Sequence, residues 1–125
     1  MKTILVAEDR EASREFLCTV LESCGYAVVE AADGKEVVLR AREVAVDLVI
    51  LDLYMPNANG FEVLEQLRTI ESYANTPVIA LTASAMAGDK ERAMLAGFSD
   101  FLSKPINLAD LRREVGRWLE VAGQA

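Results

Sequence analysis

The chain has 125 residues, of which 52% are hydrophobic, and its 13 basic and 20 acidic side chains give a formal net charge of −7. This length predicts one domain that buries about two-thirds of the unfolded chain's surface, and the apolar content excludes a disordered chain. The acidic balance disfavours contact with nucleic acid phosphates, and no apolar run approaches the ~20 residues of a membrane span. The segment after Met1 reads as a strand rather than as a signal peptide. We therefore expect a cytoplasmic protein that binds neither nucleic acid nor a membrane.

The chain contains no histidine. This excludes Ser-His-Asp and Cys-His nucleophilic sites as well as imidazole metal ligands. The two cysteines, Cys18 and Cys24, fall in the first predicted helix. A rise of about 9 Å separates them there, so they cannot form a disulfide within that helix. We expect reduced thiols in the core or at its boundary.

Apolar segments alternate with amphipathic segments along the whole chain. The predicted strands cover residues 3–7, 26–31, 48–51, 78–81 and 100–102, and the predicted helices cover about 11–24, 35–44, 61–70, 89–96 and 108–121. Parallel strands need a crossover helix each, so this alternation predicts a doubly wound α/β fold, a parallel sheet with helices on both faces. We expect a single domain, 1–125, with no output domain.

Local signals place several element boundaries. Phe16, Leu17, Val20 and Leu21 lie on one side of the first helix, which we expect to end at Gly25. The pair Asp33-Gly34 is compatible with a hairpin turn, but the apolar spacing after it favours a helix start. The turn-forming pairs Met55-Pro56 and Asn59-Gly60 predict a loop over residues 53–59. In the last helix, Trp118 belongs to an apolar stripe with Leu111, Val115 and Leu119.

Polar residues follow four of the five predicted strands. They are Glu8-Asp9 after the first strand, Asp52 after the third, Thr82 after the fourth and Ser103-Lys104 after the fifth. Each has a structural alternative: Asp9 as a helix cap, Asp52 as a turn residue, Thr82 as a strand residue and Lys104 as a solvated lysine. Ligands of open parallel sheets bind at the carboxyl ends of the strands, however, and all four groups fall at that edge.

The residue types at this edge indicate phosphoryl chemistry. Three carboxylates that converge repel one another unless a cation joins them, and oxygen ligands without histidine or cysteine suit Mg²⁺. A lysine and a hydroxyl opposite them suit a phosphoryl group. The sequence therefore predicts a phosphoryl-transfer site that uses Mg²⁺ as its cofactor.

The chain resembles the receiver domain of two-component response regulators over essentially its full length. The matching residues are Glu8-Asp9, Asp52, Met55-Pro56 with Gly60, Thr82-Ala83 and Lys104-Pro105. The resemblance implies a flavodoxin-like (βα)5 three-layer sandwich with a five-stranded parallel sheet in the order 2-1-3-4-5. Among receivers, the chain resembles the single-domain proteins of the chemotaxis-regulator type.

The resemblance also implies roles for individual residues. Asp52 matches the phosphoacceptor, which takes its phosphoryl group from a partner's phosphohistidine. Glu8 and Asp9 match the acidic pair that holds Mg²⁺ together with the carboxylate of Asp52 and the backbone carbonyl of Tyr54. Thr82 and Lys104 match the hydroxyl and the cation that bind the phosphoryl group. Together with Asp52 they are the catalytic residues that the resemblance implies.

The resemblance also implies a conformational switch that responds to phosphorylation. Phe101 matches the aromatic residue whose rotamer couples to Thr82, so phosphorylation changes the face formed by the fourth helix, the fifth strand and the last helix. We expect a phosphorylation-switched signalling protein rather than a turnover enzyme. Its expected partners are a histidine kinase or a histidine phosphotransferase, and a downstream protein that binds this face. We expect a monomer, with dimerisation on phosphorylation left open.

Several alternatives remain open from the sequence. The chain fits a free-standing receiver and also a receiver excised from a hybrid kinase or a larger regulator, and it fits relay as well as terminal output. A receiver-like interaction module that takes no phosphoryl group is a second class. A flavin carrier of the same topology is disfavoured, because the segment 8–11 is acidic and lacks the small residues that cradle a phosphate.

A few positions depart from the family pattern or carry weaker signals. Arg10 stands where the family more often has a small polar residue, and it is either solvated or reaches the site. Tyr54 and Ser84 lie two residues beyond Asp52 and Thr82, where the family tunes the gain and loss of the phosphoryl group. The residues Met86, Ala87 and Met94, around the fourth helix, suit either the edge of the core or an interface.

Overall fold

The computed structural model describes residues 1–55, 58–83 and 88–123. Five strands form the main sheet: β1 (Thr3–Ala7), β2 (Ala27–Ala31), β3 (Leu48–Asp52), β4 (Val78–Thr82) and β5 (Asp100–Ser103). The helices are α1 (Glu11–Ser23), α2 (Gly34–Glu43), α3 (Gly60–Arg68), α4 (Asp89–Ala96) and α5 (Leu108–Gly123). All neighbouring strands are parallel, in the order β2-β1-β3-β4-β5. The predicted alternation and the predicted strand order are both confirmed.

The core consists of two layers, one on each face of the sheet. Successive strand residues point to opposite faces, so Leu5 of β1 packs in one layer and Ile4 in the other. The first layer is completed by α2, α3 and α4, and the second by α1 and α5. Every residue of β3 is buried. This central strand is covered on both faces, as its continuous apolar run predicts.

The helix boundaries follow the predicted signals with one difference in packing. Asp33 caps α2 through a 2.8 Å hydrogen bond from the backbone N–H of Glu36 to its Oδ1, so the helix start is confirmed over the hairpin turn. Gly25 follows α1 with φ +94°, and Gly97 follows α4 with φ +108°. Phe16, which the sequence places on the same side of α1 as Leu17, is not buried with it, because its side chain is 47% exposed. Leu17, Val20 and Leu21 fill the buried side of α1 without it.

Two short elements are absent from the sequence prediction. Tyr54–Met55 and Ala58–Asn59 pair as a small antiparallel hairpin within the expected loop. A 3₁₀ turn, Glu71–Tyr73, precedes β4. The hydroxyl of Tyr73 lies 2.6 Å from the carbonyl oxygen of Ala41 and 2.8 Å from that of Val44, which ties this turn to the end of α2. In the part of the chain that is described, no helix has the length and apolarity that crossing a membrane requires.

Candidate functional site

The sheet order brings the predicted polar residues to one edge. Strand β3 lies between β1 and β4, and the register aligns Ala7 with Leu51 and Asp52 with Leu81. Glu8 and Asp9 leave β1 beside the end of β3, where Asp52 is the last residue. Thr82 ends β4, and the backbone N–H of Lys104 donates to the carbonyl of Thr82 at 2.8 Å. The convergence at the carboxyl ends of the strands is therefore confirmed.

Three carboxylates, Glu8, Asp9 and Asp52, form what we call the acidic cluster. One carboxylate oxygen from each lies within 4.8 Å of the others. Glu8 and Asp52 are buried, whereas Asp9 is partly exposed. The alternative role of Asp9 as a helix cap is wrong, because Arg10 occupies the N-cap position of α1 and makes no side-chain cap bond.

The acidic cluster fits a hard divalent cation. Glu8 Oε1 is buried and has no hydrogen-bond partner among the described residues. An unpartnered buried carboxylate oxygen is costly, and a coordinated cation removes that cost. Oxygen donors, two of them buried and one open to solvent, match the ligand preference of Mg²⁺, which keeps part of its water shell.

Lys104 is the cation within this site. Its Nζ donates to Glu8 Oε2 at 2.7 Å and to Asp52 Oδ2 at 2.9 Å, and its side chain is only 18% exposed. Burial lowers the pKa of Lys104, but the hydrogen bonds to Glu8 and Asp52 outweigh burial and raise it above its ordinary value. The ammonium group therefore stays charged and joins the two buried carboxylates.

Glu8 titrates close to neutrality in the metal-free protein. Burial and the neighbouring carboxylate of Asp52 raise the pKa of Glu8 to about 7, against the opposing effect of Lys104. A carboxyl group with this pKa carries a proton for part of the time at neutral pH. A bound cation competes with that proton.

The remaining contacts of Asp52 come from the segment that follows β3. The backbone N–H of Tyr54 donates to Asp52 Oδ1 at 3.0 Å, and the Tyr54 ring is half exposed. A cleft of about 290 Å³ opens above Asp52, lined by Asp9, Arg10, Asp52, Tyr54, Ala83 and Lys104. Both oxygens of Asp52 therefore have a hydrogen-bond partner on the cleft side of the sheet.

Gly60 allows this segment to fold back on the end of β3. A Cβ atom at position 60 would lie 2.7 Å from Leu53 Cα and 3.0 Å from the carbonyl oxygen of Asp52. The backbone N–H of Gly60 donates to the carbonyl of Leu53 at 2.8 Å. Only glycine fits this approach without moving the chain next to Asp52.

Thr82 and Phe101 occupy neighbouring strands. Thr82 is buried at the end of β4, and Phe101 is partly buried against the core layer of α2, α3 and α4. The strand register pairs Phe101 with Ala80, two residues before Thr82. The coupling of Thr82 to the Phe101 rotamer stays a prediction. Four residues singled out above, Pro56, Ser84, Met86 and Ala87, lie outside the described residues.

Arg14 also supports the site, although no motif in the sequence singles it out. Its guanidinium donates to the carbonyl oxygen of Glu8 at 2.9 Å and to Glu30 Oε1 at 3.0 Å, and its side chain is 17% exposed. These contacts hold the backbone that carries the acidic cluster to the end of β2. A cation one helical turn before Cys18, on the side of α1 that faces the sheet, is the only signal that the sequence offers.

The side chains around β5 include a hydrogen-bonded tryptophan and two exposed apolar residues. The indole Nε1 of Trp118 donates to Asp100 Oδ2 at 3.0 Å, so this ring is fixed between core and surface. On α4, Leu95 is 89% exposed and Met94 is also exposed. Apolar side chains are thus presented beside β5, on the face predicted to bind a downstream protein.

The comparisons with known proteins agree with this geometry. Residues 4–116 match the response regulator receiver domain family. The polar-differentiation response regulator DivK of Brucella ovis is 36% identical over 107 residues, which cover 86% of this chain and 87% of that protein. The chain therefore belongs to the response regulator receiver domain family and is a receiver domain of two-component signalling.

Two solved structures extend the comparison. The receiver domain of the sensor histidine kinase PA1611 from Pseudomonas aeruginosa, described with a magnesium ion in its active site cleft, has a TM-score of 0.87 and 34% identity, covering 95% of this chain and 98% of that one. The Saccharomyces cerevisiae receiver domain of Ssk1, crystallised with the histidine phosphotransfer protein Ypd1, has a TM-score of 0.85 and 29% identity, covering 94% and 88%. Response regulator receivers are signalling proteins, and the acidic cluster fits Mg²⁺ binding and aspartyl phosphorylation.

Proposed function

We propose that Asp52 accepts a phosphoryl group from a partner's phosphohistidine while Glu8, Asp9, Asp52 and the backbone carbonyl of Tyr54 hold Mg²⁺. The observation that carries this proposal is the bridge of Lys104 Nζ between Glu8 and Asp52, inside a cluster of three carboxylates. One buried lysine neutralises only part of the negative charge of the three carboxylates. The remaining negative charge can bind a metal cation, and the cation in turn can bind a phosphoryl group.

The reaction is a displacement at phosphorus. A carboxylate oxygen of Asp52 forms a bond to phosphorus as the bond from phosphorus to the partner's imidazole nitrogen breaks, and the electron pair leaves with the nitrogen. Lys104 offsets negative charge on the transferred oxygens, and Thr82 supplies a hydroxyl at the end of the neighbouring strand. Mg²⁺, when bound, supplies further positive charge to these oxygens.

The output follows from a change in packing. In this proposal the phosphorylated site draws the Thr82 hydroxyl inward and lets Phe101 turn into the space it leaves. The face formed by α4, β5 and α5 then changes, and a downstream protein binds it. Support comes from the exposed Met94 and Leu95 on α4 and from the indole of Trp118, fixed at Asp100.

The partners in this proposal are a histidine kinase or a histidine phosphotransferase. The receiver of Ssk1 crystallised with Ypd1 shows that a receiver of similar fold binds a phosphotransfer protein, which supports this class of partner. The protein acts in the cytoplasm as a monomer, and dimerisation on phosphorylation stays an open alternative. It assists its own phosphorylation and dephosphorylation and does not turn over a separate substrate.

Intact-protein mass spectrometry tests the proposal. Wild-type protein incubated with Mg²⁺ and acetyl phosphate gains one phosphoryl group, and EDTA prevents the gain. Asp52→Asn gains none, whereas the matched variant Asp110→Asn, an acidic residue on the surface of α5, behaves as wild type. No gain in the wild type, together with no binding of beryllofluoride, would contradict the proposal and favour a receiver-like interaction module.

A further inference from the structure

Arg10 lies at the rim of the cleft above Asp52, and the fold does not use its charge. It is exposed and lines the cleft together with Asp9 and Lys104. Within the described part of the chain, its guanidinium makes no hydrogen bond or ion pair. By contrast, Arg14 on the next turn of α1 is bonded to two groups. The Arg10 guanidinium is therefore available to bind an anion that enters the cleft.

Local stability disfavours an arginine at this position. Arg10 is the N-cap of α1, where Ser, Thr, Asp or Asn would accept a hydrogen bond from the first turn, and no side-chain cap bond is made. A cation also lies unfavourably at the positive end of the helix dipole. A residue that breaks a local rule without a compensating contact is expected at functional sites.

The charge balance of the cleft gives Arg10 a role. The acidic cluster contributes three carboxylates, and Lys104 already donates to two of them, Glu8 and Asp52. A phosphoryl donor brings about two further negative charges at neutral pH. A guanidinium at the mouth of the cleft offsets these charges and can bind two phosphoryl oxygens at once.

We propose that Arg10 is a second phosphoryl-binding cation, which attracts and orients anionic phosphodonors for attack by Asp52. This inference rests on the proposed phosphorylation of Asp52. With acetyl phosphate, the bond from phosphorus to the acetate oxygen breaks, acetate leaves with the electron pair, and Asp52 forms the new bond to phosphorus. Arg10 binds phosphoryl oxygens whose bonds to phosphorus neither form nor break in this step.

The test compares initial rates of phosphorylation by acetyl phosphate in the presence of Mg²⁺, followed by intact-protein mass. Arg10→Ala and Arg10→Asn are expected to react about three- to tenfold more slowly, the loss of one partly exposed charge-assisted contact. Arg10→Lys retains part of the rate. The matched control is Arg42→Ala, which removes an exposed arginine in the last turn of α2. This turn lies at the end of the sheet opposite the cleft, so the variant is expected to keep the wild-type rate.

A second readout separates this role from a structural one. Arg10→Asn restores an N-cap and is expected to raise the Tm by a few degrees while it slows phosphorylation. The dependence of the rate on salt is also weaker in Arg10→Ala than in the wild type, because one steering charge is gone. A merely structural residue would not lower the rate as the Tm rises.

The outcomes are distinct from those of the proposed function. Equal rates and equal salt dependence for wild type and Arg10→Ala would overturn the role of Arg10 while leaving Asp52 as the acceptor. Absence of phosphorylation in the wild type would instead overturn the proposed function and this inference with it.

Discussion

Lys104 is the residue that holds the two buried carboxylates of the site together. Its Nζ is within 2.9 Å of oxygens on both Glu8 and Asp52. An uncompensated buried charge costs several kcal/mol, so the metal-free fold depends on this single ammonium group more than on an exposed ion pair. In the proposed function, the phosphoryl group on Asp52 takes over part of these contacts of Lys104.

Replacing Lys104 by methionine is expected to destabilise the metal-free protein by about 2–4 kcal/mol at alkaline pH, because Glu8 and Asp52 lose their cation. Lys104 lowers the pKa of Glu8, which is about 7 with the lysine present. The variant therefore binds a proton more readily than the wild type, and its loss of stability shrinks as the pH falls towards 7 and below. Urea unfolding at several pH values measures this difference.

Mg²⁺ provides the comparison for the same variant. A cation in the acidic cluster replaces part of the lost charge, so Mg²⁺ stabilises Lys104→Met more than it stabilises the wild type. Lys35→Met, at an exposed lysine on α2, serves as the control. Unchanged stability of Lys104→Met without Mg²⁺ would show that the buried carboxylates do not need this cation.

The two cysteines are expected to differ in reactivity. Burial, and next the charges of Glu30 and Glu22, raise the pKa of the Cys18 thiol to about 11, whereas Cys24 is exposed at the end of α1. Near pH 8.5 Cys18 is thus almost entirely protonated, and only a thiolate reacts. Titration with a chromogenic disulfide should show one fast thiol, which Cys24→Ser removes. Two fast thiols would mean that Cys18 is more accessible than its position in the core allows.

At the scale of the elements, the close contact between the start of α3 and the end of β3 positions Asp52. The hairpin and Gly60 return the chain onto β3, the strand that carries Asp52. Gly60→Ala places a Cβ atom 2.7 Å from Leu53 Cα, so α3 must move. We expect a loss of about 2–4 kcal/mol and slower phosphorylation, because the segment holding Asp52 shifts.

Gly116 offers the matched control. It lies within α5, and a Cβ atom there meets nothing within 4 Å. Gly116→Ala is therefore expected to stabilise the protein by about 0.5–1 kcal/mol through helix propensity. Thermal unfolding of both variants measures the difference. Equal effects of the two substitutions would contradict the steric role of Gly60.

Across the whole molecule, the sequence predicts those features of the fold that depend on local pattern. Alternating apolar and amphipathic segments predict the five strands and five helices, and a polar residue at a strand end predicts a place at one edge. The two hydrogen bonds that Lys104 donates to Glu8 and Asp52 depend on which strands are neighbours. That strand order is implied by the family resemblance and not by the local pattern.

The features that the sequence could not predict involve segments too short for a pattern or depend on how side chains pack against their neighbours. The hairpin within residues 54–59 has strands of two residues each, too short for any periodicity. The exposure of Phe16 follows from how Leu17 and Leu21 fill the inner side of α1. The hydrogen bond from Arg14 to the carbonyl of Glu8 depends on the distance between α1 and β1, which no pattern in the sequence predicts.

Whether Asp52 carries the phosphoryl group is decided by locating the acyl phosphate in the chain by chemical means. Protein treated with Mg²⁺ and acetyl phosphate is reduced with borohydride, which converts an aspartyl phosphate into homoserine, and its peptides are then mapped by mass. We expect homoserine at position 52 alone, and only when Mg²⁺ was present during the reaction. Homoserine at another acidic position, or none although the intact protein has gained a phosphoryl group, would contradict it.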